Sequence, residues 1–479
     1  MKTKKIFSLI ASITLLGGLC SCSGNTSTGS AASSTGSSSQ TGTIEIDFWH
    51  TFGKTVLTAF EEKIDEFTQL VKKNEGVDVK ITMTYQGGYD DLLSKIHSGF
   101  ATGNYPNLAI AYPDHVAQYL KDEGSNPGKY VVDLSTYINS EEYGFGKESY
   151  LGDGETSDFV DAFYQEGQSY ARSGIYSLPV MKSSEVLFYN KTQVAKYLAM
   201  YDSPDTNVEK FMSTLTWDKF MDFCKFIKDQ KISSLETPFV YDSDSNLFIT
   251  KCYQKDIDFL SINDDGKGQV LFNNDAAKSM VNTLKSYYED GLIATKGTLG
   301  TYSSEKFTNE KCFFTVGSTG GAGYNYPTGD SFEVGVAPVP YENKQTYVTQ
   351  GLTATVLKHN DEDGKKALYS YKFLKYITSA EVNADLCING SEGYSPVRKS
   401  AYQTELYQEY LENEGNDFMP KVAKIVYEDI NGKYFTTPCF SGSATARDQV
   451  GGILTNVFLG KKTVNEAFDE AENQTKLAM

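Results

Sequence analysis

The sequence predicts an α/β fold, in which a mainly parallel sheet is covered by helices on both faces. Segments with a period of two alternate with segments of helical period, and this alternation is typical of βαβ units. The chain has 479 residues, of which 40% are hydrophobic and 13% aromatic. This composition is sufficient for extensive cores, and the length favours two domains over one.

The first βαβ units begin after a polar N-terminal stretch. Ile44, Ile46 and Phe48 alternate with polar residues and predict the first strand, and further strands are predicted at 77–85 and 108–112. The intervening segments have apolar residues at helical spacing and predict two helices. Their apolar residues are Val56, Leu57, Phe60, Ile64, Phe67 and Val71 in the first helix, and Leu92, Leu93, Ile96 and Phe100 in the second.

The remaining elements follow a segment that lacks periodicity. Residues 139–158 are rich in glycine and acidic side chains and predict a surface insertion. Extended segments are predicted at 175–179 and 186–189, strands at 312–316, 334–339 and 354–357, and helices at 217–227, 276–288, 367–377 and 449–458.

The N-terminus has the layout of a secretory signal. Three lysines precede an apolar run, 6–19, that is too short to span a bilayer. The run ends in Leu19-Cys20-Ser21-Cys22, which resembles the lipobox of bacterial lipoproteins, with Cys22 as the lipidated residue. We therefore expect a signal peptide at 1–21 and a flexible Ser/Thr/Gly tether at 22–43. The alternative is an ordinary signal peptide followed by unmodified cysteines.

Charge and cysteine content exclude some classes of protein. The formal net charge is −18 and no basic stripe is present, so nucleic acid is not an expected partner. No later segment has the apolar run of a transmembrane helix. Downstream of Cys22 there are five widely spaced cysteines, an odd number, so at least one is free; one or two disulfides remain open.

Catalytic and cofactor motifs are largely missing. Asp242, Asp244 and Asn246 begin like an EF-hand loop but lack its later ligands, which favours a solvated turn. The glycine-rich loop at 317–323 lacks the nucleotide-binding order, and is either a simple turn or a surface of backbone N–H donors beside Ser318 and Thr319. The four histidines form no zinc motif and no GxSxG element exists, so no catalytic residue, metal or cofactor is predicted.

An ordered set of short motifs resembles the family 1 extracellular solute-binding proteins of ABC importers. The set covers the chain from Ile44 to the C-terminus, and it is most similar to the branch that binds glycerol-3-phosphate and sugars. Its members are Phe48-Trp49-His50, Tyr85-Gln-Gly-Gly-Tyr89, Thr102-Gly103-Asn104-Tyr-Pro106, Leu187-Phe188-Tyr189-Asn190-Lys191, Thr216-Trp217-Asp218-Lys219-Phe220, Lys306-Phe307, the segment 335–340, and Gly393-Tyr394-Ser-Pro396.

The resemblance implies a two-lobed, type II periplasmic-binding-protein-like fold with ligand in the cleft between the lobes. Crossing segments are expected near Met181, Tyr341 and Glu392. Lobe 1 would comprise 44–181 and 342–392, and lobe 2 would comprise 182–341 and 393–479.

The resemblance also implies ligand-binding positions. They are Tyr89, Ser183, Ser318 or Thr319, Gly351, Tyr394 and Arg447. In the glycerol phosphate binders the corresponding arginine meets the phosphate; a protein carboxylate is the alternative partner for Arg447.

Two positions depart from the family pattern. A glutamate that binds ligand hydroxyls in that branch falls at Pro113 here, so the neighbouring Asp114 is its expected substitute. The stacking tryptophan of the branch has no counterpart, and Tyr241 is the expected replacement.

The function implied is that of a monomeric, membrane-anchored binding protein rather than an enzyme. It would capture a sugar, oligosaccharide or glycerol phosphate by lobe closure and deliver it to the permease subunits of an ABC transporter at the outer face of the cytoplasmic membrane. A lipid-anchored adhesin and a glycoside hydrolase are the alternatives, the latter because a carboxylate pair cannot be recognised from sequence alone.

Overall fold

The computed structural model describes residues 42–329, 331–390, 393–413, 418–430 and 432–479. Within them lie strands β1 to β12. They are β1 Ile44–His50, β2 Val79–Tyr85, β3 Leu108–Ala111, β4 Leu178–Asn190, β5 Phe239–Tyr241, β6 Leu260–Ile262, β7 Gly268–Val270, β8 Ile293–Thr295, β9 Phe314–Ser318, β10 Val334–Pro338, β11 Tyr347–Val356 and β12 Tyr434–Phe435.

Ten of these strands form one mixed sheet in the order β2-β1-β3-β11-β4-β9-β5-β8, with β10 paired to β4 and β12 paired to β11. At one end β1 is parallel to β2 and β3, and at the other β5 is parallel to β8 and β9. The two central strands β4 and β11 are antiparallel to each other and to their outer neighbours β9 and β3. The parallel pairs at the two ends are those expected from βαβ units.

Eighteen α-helices in the described residues surround the sheet. They are α1 Lys54–Glu75, α2 Tyr89–Thr102, α3 Pro113–Asp122, α4 Ser135–Ile138, α5 Asp161–Glu166, α6 Lys191–Leu198, α7 Val208–Ser213, α8 Trp217–Asp229, α9 Asp244–Gln254, α10 Asp275–Glu289, α11 Lys296–Leu299, α12 Ser303–Thr308, α13 Lys365–Ile377, α14 Ala380–Asn389, α15 Glu405–Glu412, α16 Phe418–Asp429, α17 Ser443–Phe458 and α18 Val464–Ala478.

Each half of the sheet is buried on both faces. In the first half, Phe48 and Ile110 pack with α1 and α13, whereas Ala109 faces α2 and α3. In the second half, Leu187 packs with α8, α9 and α17, whereas Phe188 packs with α16 on the other face. Successive strand residues point to opposite faces, so this alternation is the three-layered α/β arrangement predicted from the sequence.

The two halves share the long central strands. Leu178, Val180 and Met181 of β4 belong to the first core, while Leu187 and Tyr189 belong to the second. The sequence predicted two separate extended segments here, which is wrong: residues 178–190 form one strand that is buried throughout. Lys182 to Glu185 supply four polar residues in the middle, and these interrupted the apolar pattern that the prediction followed.

Of the three crossing positions inferred from the resemblance, two lie within the described residues. Met181 lies in β4 just before the change of core, and Tyr341 precedes β11, whereas Glu392 lies outside the described residues. The side chains of Val397 and Tyr402 pack in the first core, although the sequence assigned 393–479 to the second lobe.

The segment 139–158 is more than the surface insertion that the sequence predicted. Phe145 and Leu151 are buried in the first core, and the segment ends in a short 3-10 helix, Thr156–Asp158. Two apolar side chains within a glycine-rich stretch have no helical or strand period, so the sequence pattern did not reveal them.

The cysteines downstream of position 22 are all free and buried: Cys224, Cys252, Cys312, Cys387 and Cys439. Within the described residues, no helix is long and apolar enough to cross a membrane. Cys22, the signal segment 1–21 and all but the end of the tether 22–43 lie outside the described residues.

Candidate functional site

A cavity of about 160 Å³ lies where the two central strands pass between the cores. It is bounded by the first turns of α3 and α9, the first part of α17, the middle of β4 and the first half of β11. Its lining residues are Tyr112, Pro113, Asp114, Glu166, Lys182, Ser243, Ser245, Asn246, Val348, Thr349, Gln350, Phe435, Thr437, Cys439 and Arg447.

Asp114 and Arg447 meet at this cavity from opposite halves of the molecule. Asp114 follows Pro113 in the first turn of α3, which packs on the first half of the sheet, and Arg447 lies in α17, which packs in the second core. The Nε atom of Arg447 donates to Oδ2 of Asp114 at 3.0 Å. The sequence left phosphate and a protein carboxylate open as partners for Arg447, and in this structure the partner is the carboxylate.

The environment of this pair keeps both groups charged. Burial alone would raise the pKa of Asp114, but the Arg447 guanidinium, the neighbouring His115 and the hydrogen bonds lower it below its usual value. Burial opposes the charge of Arg447, yet Asp114 raises the pKa of the guanidinium above its usual value. The contact is therefore an ion pair.

A second ion pair, which the sequence analysis missed, lies in the cavity wall. Lys182 of β4 donates from Nζ to Oε2 of Glu166 at 2.5 Å, and the hydroxyl of Thr349 donates to the other carboxylate oxygen. The side chains of Lys182 and Glu166 are only 1% and 8% exposed. No local pattern in the sequence indicates this pair, because Lys182 lies in a polar interruption of the apolar pattern and Glu166 is 16 residues away.

A buried hydrogen-bond network lies behind Arg447. The hydroxyl of Tyr241 donates to Oε2 of Glu185 at 2.5 Å, and the amide of Asn246 donates to Oε1 at 2.9 Å. Nη1 of Arg447 donates to the side-chain oxygen of Asn246 at 3.4 Å. Tyr241 is fully buried in the second core and is not among the residues that line the cavity; its hydroxyl is directed to Glu185.

This network gives a prediction on pH. Burial raises the pKa of Glu185 from 4.5 to about 7, so the folded protein holds a proton there that the unfolded chain releases. The stabilising contribution is complete below pH 4.5 and is lost as the pH rises towards 7, in total about 3 kcal/mol. Glu185→Gln should remove this dependence of the unfolding free energy on pH. Urea unfolding of the wild-type and Glu185→Gln proteins between pH 4.5 and 8 measures it. The exposed Glu45→Gln is the control; equal slopes for wild type and Glu185→Gln would contradict the assignment.

The predicted Ser183, Ser318 and Thr319 are also brought together. The hydroxyl of Ser318, at the end of β9, donates to the hydroxyl of Ser183 at 3.3 Å, and the backbone N–H of Ser184 donates to the hydroxyl of Thr319 at 3.2 Å. Ser183 is paired in the sheet with Gln350, which lines the cavity. This cluster therefore lies next to the cavity, one residue further along β4 than Lys182.

The predicted glycine and tyrosine positions surround the same region. Gly351 has a φ of +98°, and a Cβ atom there would lie 2.8 Å from the backbone nitrogen of Ser183. Tyr394 packs closely on Gly320: a Cβ atom added to Gly320 would lie 2.9 Å from the ring of Tyr394. Tyr89 stacks on Tyr112 with ring centroids 4.0 Å apart, and Tyr112 lines the cavity.

The region around Asp244 differs from the solvated turn that the sequence favoured. Ser243 caps α9 by accepting from the N–H of Asn246, and Asp244 is buried and accepts from the hydroxyls of Thr295 and Thr455 at 2.6 and 2.9 Å. The prediction was wrong because an Asp-rich turn and a capped, buried helix start have similar sequences. Asn246, dismissed with that turn, lines the cavity.

The walls thus combine polar and apolar groups. Besides the two ion pairs they offer the amides of Gln350 and Asn246, several hydroxyls and the ring of Phe435. The Nε2 of Gln350 is buried and has no hydrogen-bond partner among the described residues, so a donor is available at the wall. No group of three or more metal-ligating side chains occurs within the described part of the chain. Such a cavity suits a small polar ligand with hydroxyl groups.

A family model described as bacterial extracellular solute-binding protein matches residues 62–415. The sn-glycerol-3-phosphate-binding periplasmic protein UgpB of Escherichia coli strain K12 is 24% identical over 439 residues, which cover 89% of this chain and 90% of that protein. The protein of the same name from Shigella dysenteriae is equally similar.

Solved structures with the same fold include two binding proteins. The cyclic α-maltosyl-1,6-maltose binding protein from Arthrobacter globiformis is 19% identical, with a TM-score of 0.67, over 91% of this chain and 99% of that chain. UgpB from Mycobacterium tuberculosis, solved in complex with glycerophosphocholine, is 16% identical, also with a TM-score of 0.67, over 91% and 98% of the two chains. These likenesses support the two-lobed α/β fold.

Proposed function

The chain belongs to the family of bacterial extracellular solute-binding proteins, and we propose that it captures a carbohydrate-class solute for an ABC importer. Similar proteins are named for glycerol-3-phosphate and for a cyclic maltosyl saccharide, so a sugar, an oligosaccharide or a glycerol phosphate is the proposed ligand class. The permease subunits of the importer are the proposed partner, and the protein acts as a monomer that binds solute and releases it unchanged.

The contact between Asp114 and Arg447 is the observation that carries this proposal. It joins α3 of one half to α17 of the other across the cavity, with a nitrogen–oxygen distance of 3.0 Å. A ligand held by residues from both halves favours the arrangement in which they are together over one in which they are apart. Ligand binding is then coupled to the relative position of the halves, which a permease can sense.

The residues proposed to contact or frame the ligand are Tyr89, Asp114, Ser183, Ser318, Thr319, Gly351, Tyr394 and Arg447, with Tyr241 acting through Glu185. To them we add Asn246 and Gln350, because both line the cavity. Two lobes are proposed with β4 and β11 as crossing strands, and the packing of Val397 and Tyr402 in the first core supports the assignment of part of 393–479 to the first lobe. Lipidation at Cys22 and the tether would hold the body at the membrane.

A thermal-shift screen tests the proposal. Neutral sugars, malto-oligosaccharides, glycerol-3-phosphate and glycerophosphocholine are added to the purified protein, and a true ligand at about 100 times its Kd stabilises the fold by about 2.7 kcal/mol. We expect at least one of these compounds to raise Tm and to be recovered intact. Arg447→Ala should weaken binding of that compound by about tenfold or more, since a charged hydrogen-bond donor is lost at the wall.

The matched control is Lys80→Ala, which removes an exposed cation on β2 without touching the cavity. Its affinity should equal that of wild type. A screen in which no carbohydrate or glycerol phosphate shifts Tm contradicts the proposal, and cleavage of an oligosaccharide would favour the glycoside hydrolase alternative.

A further inference from the structure

We infer that the ligand of this cavity is an uncharged, polyhydroxylated compound, and that Asp114 excludes phosphorylated ones by occupying Arg447. The inference rests on the proposed function and narrows it, since the names of similar proteins leave both a sugar and a glycerol phosphate open. Asp114 thereby becomes a residue that determines specificity, rather than only a substitute for a hydroxyl-binding glutamate.

The charged side chains in the cavity wall form ion pairs with one another. Among the described lining residues four carry full charges, and they form two pairs: Arg447 with Asp114 at 3.0 Å, and Lys182 with Glu166 at 2.5 Å. The acidic partners are 5% and 8% exposed. The wall therefore has no net positive charge to offer to an anion.

A phosphate would have to break one of these pairs. Displacing Asp114 from Arg447 would leave a nearly buried carboxylate without its counter-charge, an arrangement that proteins avoid because desolvation of a lone charge is costly. The carboxylate would also face the incoming anion directly. Lys182 is a worse candidate, because its side chain is 1% exposed and is held by Glu166.

The surroundings of Arg447 add further negative charge. Asp448 follows it in α17 and adds a carboxylate on the same helix. Carboxylates near a cation reduce its attraction for a second anion, and in a cavity of low dielectric constant this effect is stronger than in water. A neutral ligand experiences none of this repulsion.

The groups that remain available are suited to hydroxyls. The Nε2 of Gln350 is a buried donor without a partner in the described structure, and Ser245 and Thr437 contribute hydroxyls to the wall. Ion-paired carboxylates still have lone pairs that accept from ligand hydroxyls. Phe435 supplies an aromatic surface for the apolar C–H groups of a sugar.

Isothermal titration calorimetry, which measures the affinity of the wild-type protein for each probe, provides the first test. The probes are glucose, maltose and maltotriose as neutral compounds, and sn-glycerol-3-phosphate and glycerophosphocholine as phosphate esters. Binding confined to neutral compounds supports the inference. Binding of a phosphate ester more tightly than every neutral probe overturns it and leaves the proposed function standing, whereas binding of none of them counts against both.

Asp114→Asn provides the second test, because it removes the negative charge that neutralises the guanidinium while conserving side-chain shape. We expect affinity for glycerol-3-phosphate to rise about tenfold or more, as a charge-assisted contact becomes available. Asp65→Asn is the matched control, since it removes the same charge from an exposed residue of α1 that does not line the cavity. No gain in a folded Asp114→Asn protein, or an equal gain in Asp65→Asn, overturns the role of Asp114.

The dependence of binding on salt concentration provides a third test. It is measured on the wild-type protein, so it does not depend on whether a variant folds. Contacts between charges weaken as ionic strength rises, whereas hydroxyl and apolar contacts change little. The affinity for the best probe should remain within about twofold between 50 and 500 mM NaCl. A steep loss of affinity with salt overturns the inference.

Discussion

Lys182→Met is expected to lower the free energy of unfolding by about 3–5 kcal/mol, the largest loss that we predict from the cavity wall. The substitution leaves Glu166 buried without its cation, and the hydroxyl of Thr349 is then the remaining hydrogen-bond donor to its carboxylate among the described residues. Burial already raises the pKa of Glu166 above its usual value. Removing Lys182 raises it further, so the loss should be greater at pH 8 than at pH 5, where the carboxyl takes up a proton.

The double variant Lys182→Met/Glu166→Gln separates charge from packing. It removes both charges and keeps similar side-chain volumes, so it should recover most of the stability lost in Lys182→Met, because a neutral pair has no uncompensated charge. Urea unfolding followed by circular dichroism at pH 5 and pH 8 measures both. A double variant as unstable as the single one would show that Lys182 acts through its packing, contrary to this account.

Gly393→Ala is expected to destabilise the protein by about 2–5 kcal/mol and to weaken ligand binding. Gly393 has a φ of +104°, which costs any other residue about 1–2 kcal/mol. In addition, a Cβ atom there would lie 1.8 Å from the carbonyl oxygen of Thr319. Relieving this overlap must move the backbone of Thr319 or of Tyr394, and forced repacking of this kind typically costs a further 1–3 kcal/mol.

Gly460→Ala is the matched control, because it has a φ of +65° and no atom within 4 Å of the added methyl group. It should lose only about 1–2 kcal/mol, from the backbone conformation alone. Unfolding free energies and affinity for the compound found in the thermal-shift screen are measured for both variants. Equal losses in the two would mean that the close approach of Gly393 to Thr319 is unimportant.

Much of the fold was predictable because it follows local rules. The alternation at Ile44, Ile46 and Phe48 predicted β1, and the apolar spacing from Val56 to Val71 predicted α1, since both elements bury one side. The prediction was wrong in the centre of β4, where Lys182 and Glu185 interrupt the apolar pattern. Their partners, Glu166 and Tyr241, are distant in sequence, so no local pattern indicates that these charges are buried.

Only part of the lining of the candidate site was predictable from the sequence. The resemblance led to Asp114 and Arg447, and the structure has both at one cavity. It did not lead to Asn246 or Gln350, because an asparagine after an Asp-rich turn and a glutamine in a strand have no distinctive pattern.

The sequence by itself determined the α/β class, the order of the first elements and the family resemblance, because periodicity and short motifs are properties of neighbouring residues. Only the tertiary structure decided that Arg447 meets Asp114 across 333 positions of the chain. It likewise decided that Lys182 is paired with Glu166. The physical reason is that a buried charge is tolerated only beside its partner, and which partner is near depends on how the two halves of the sheet pack.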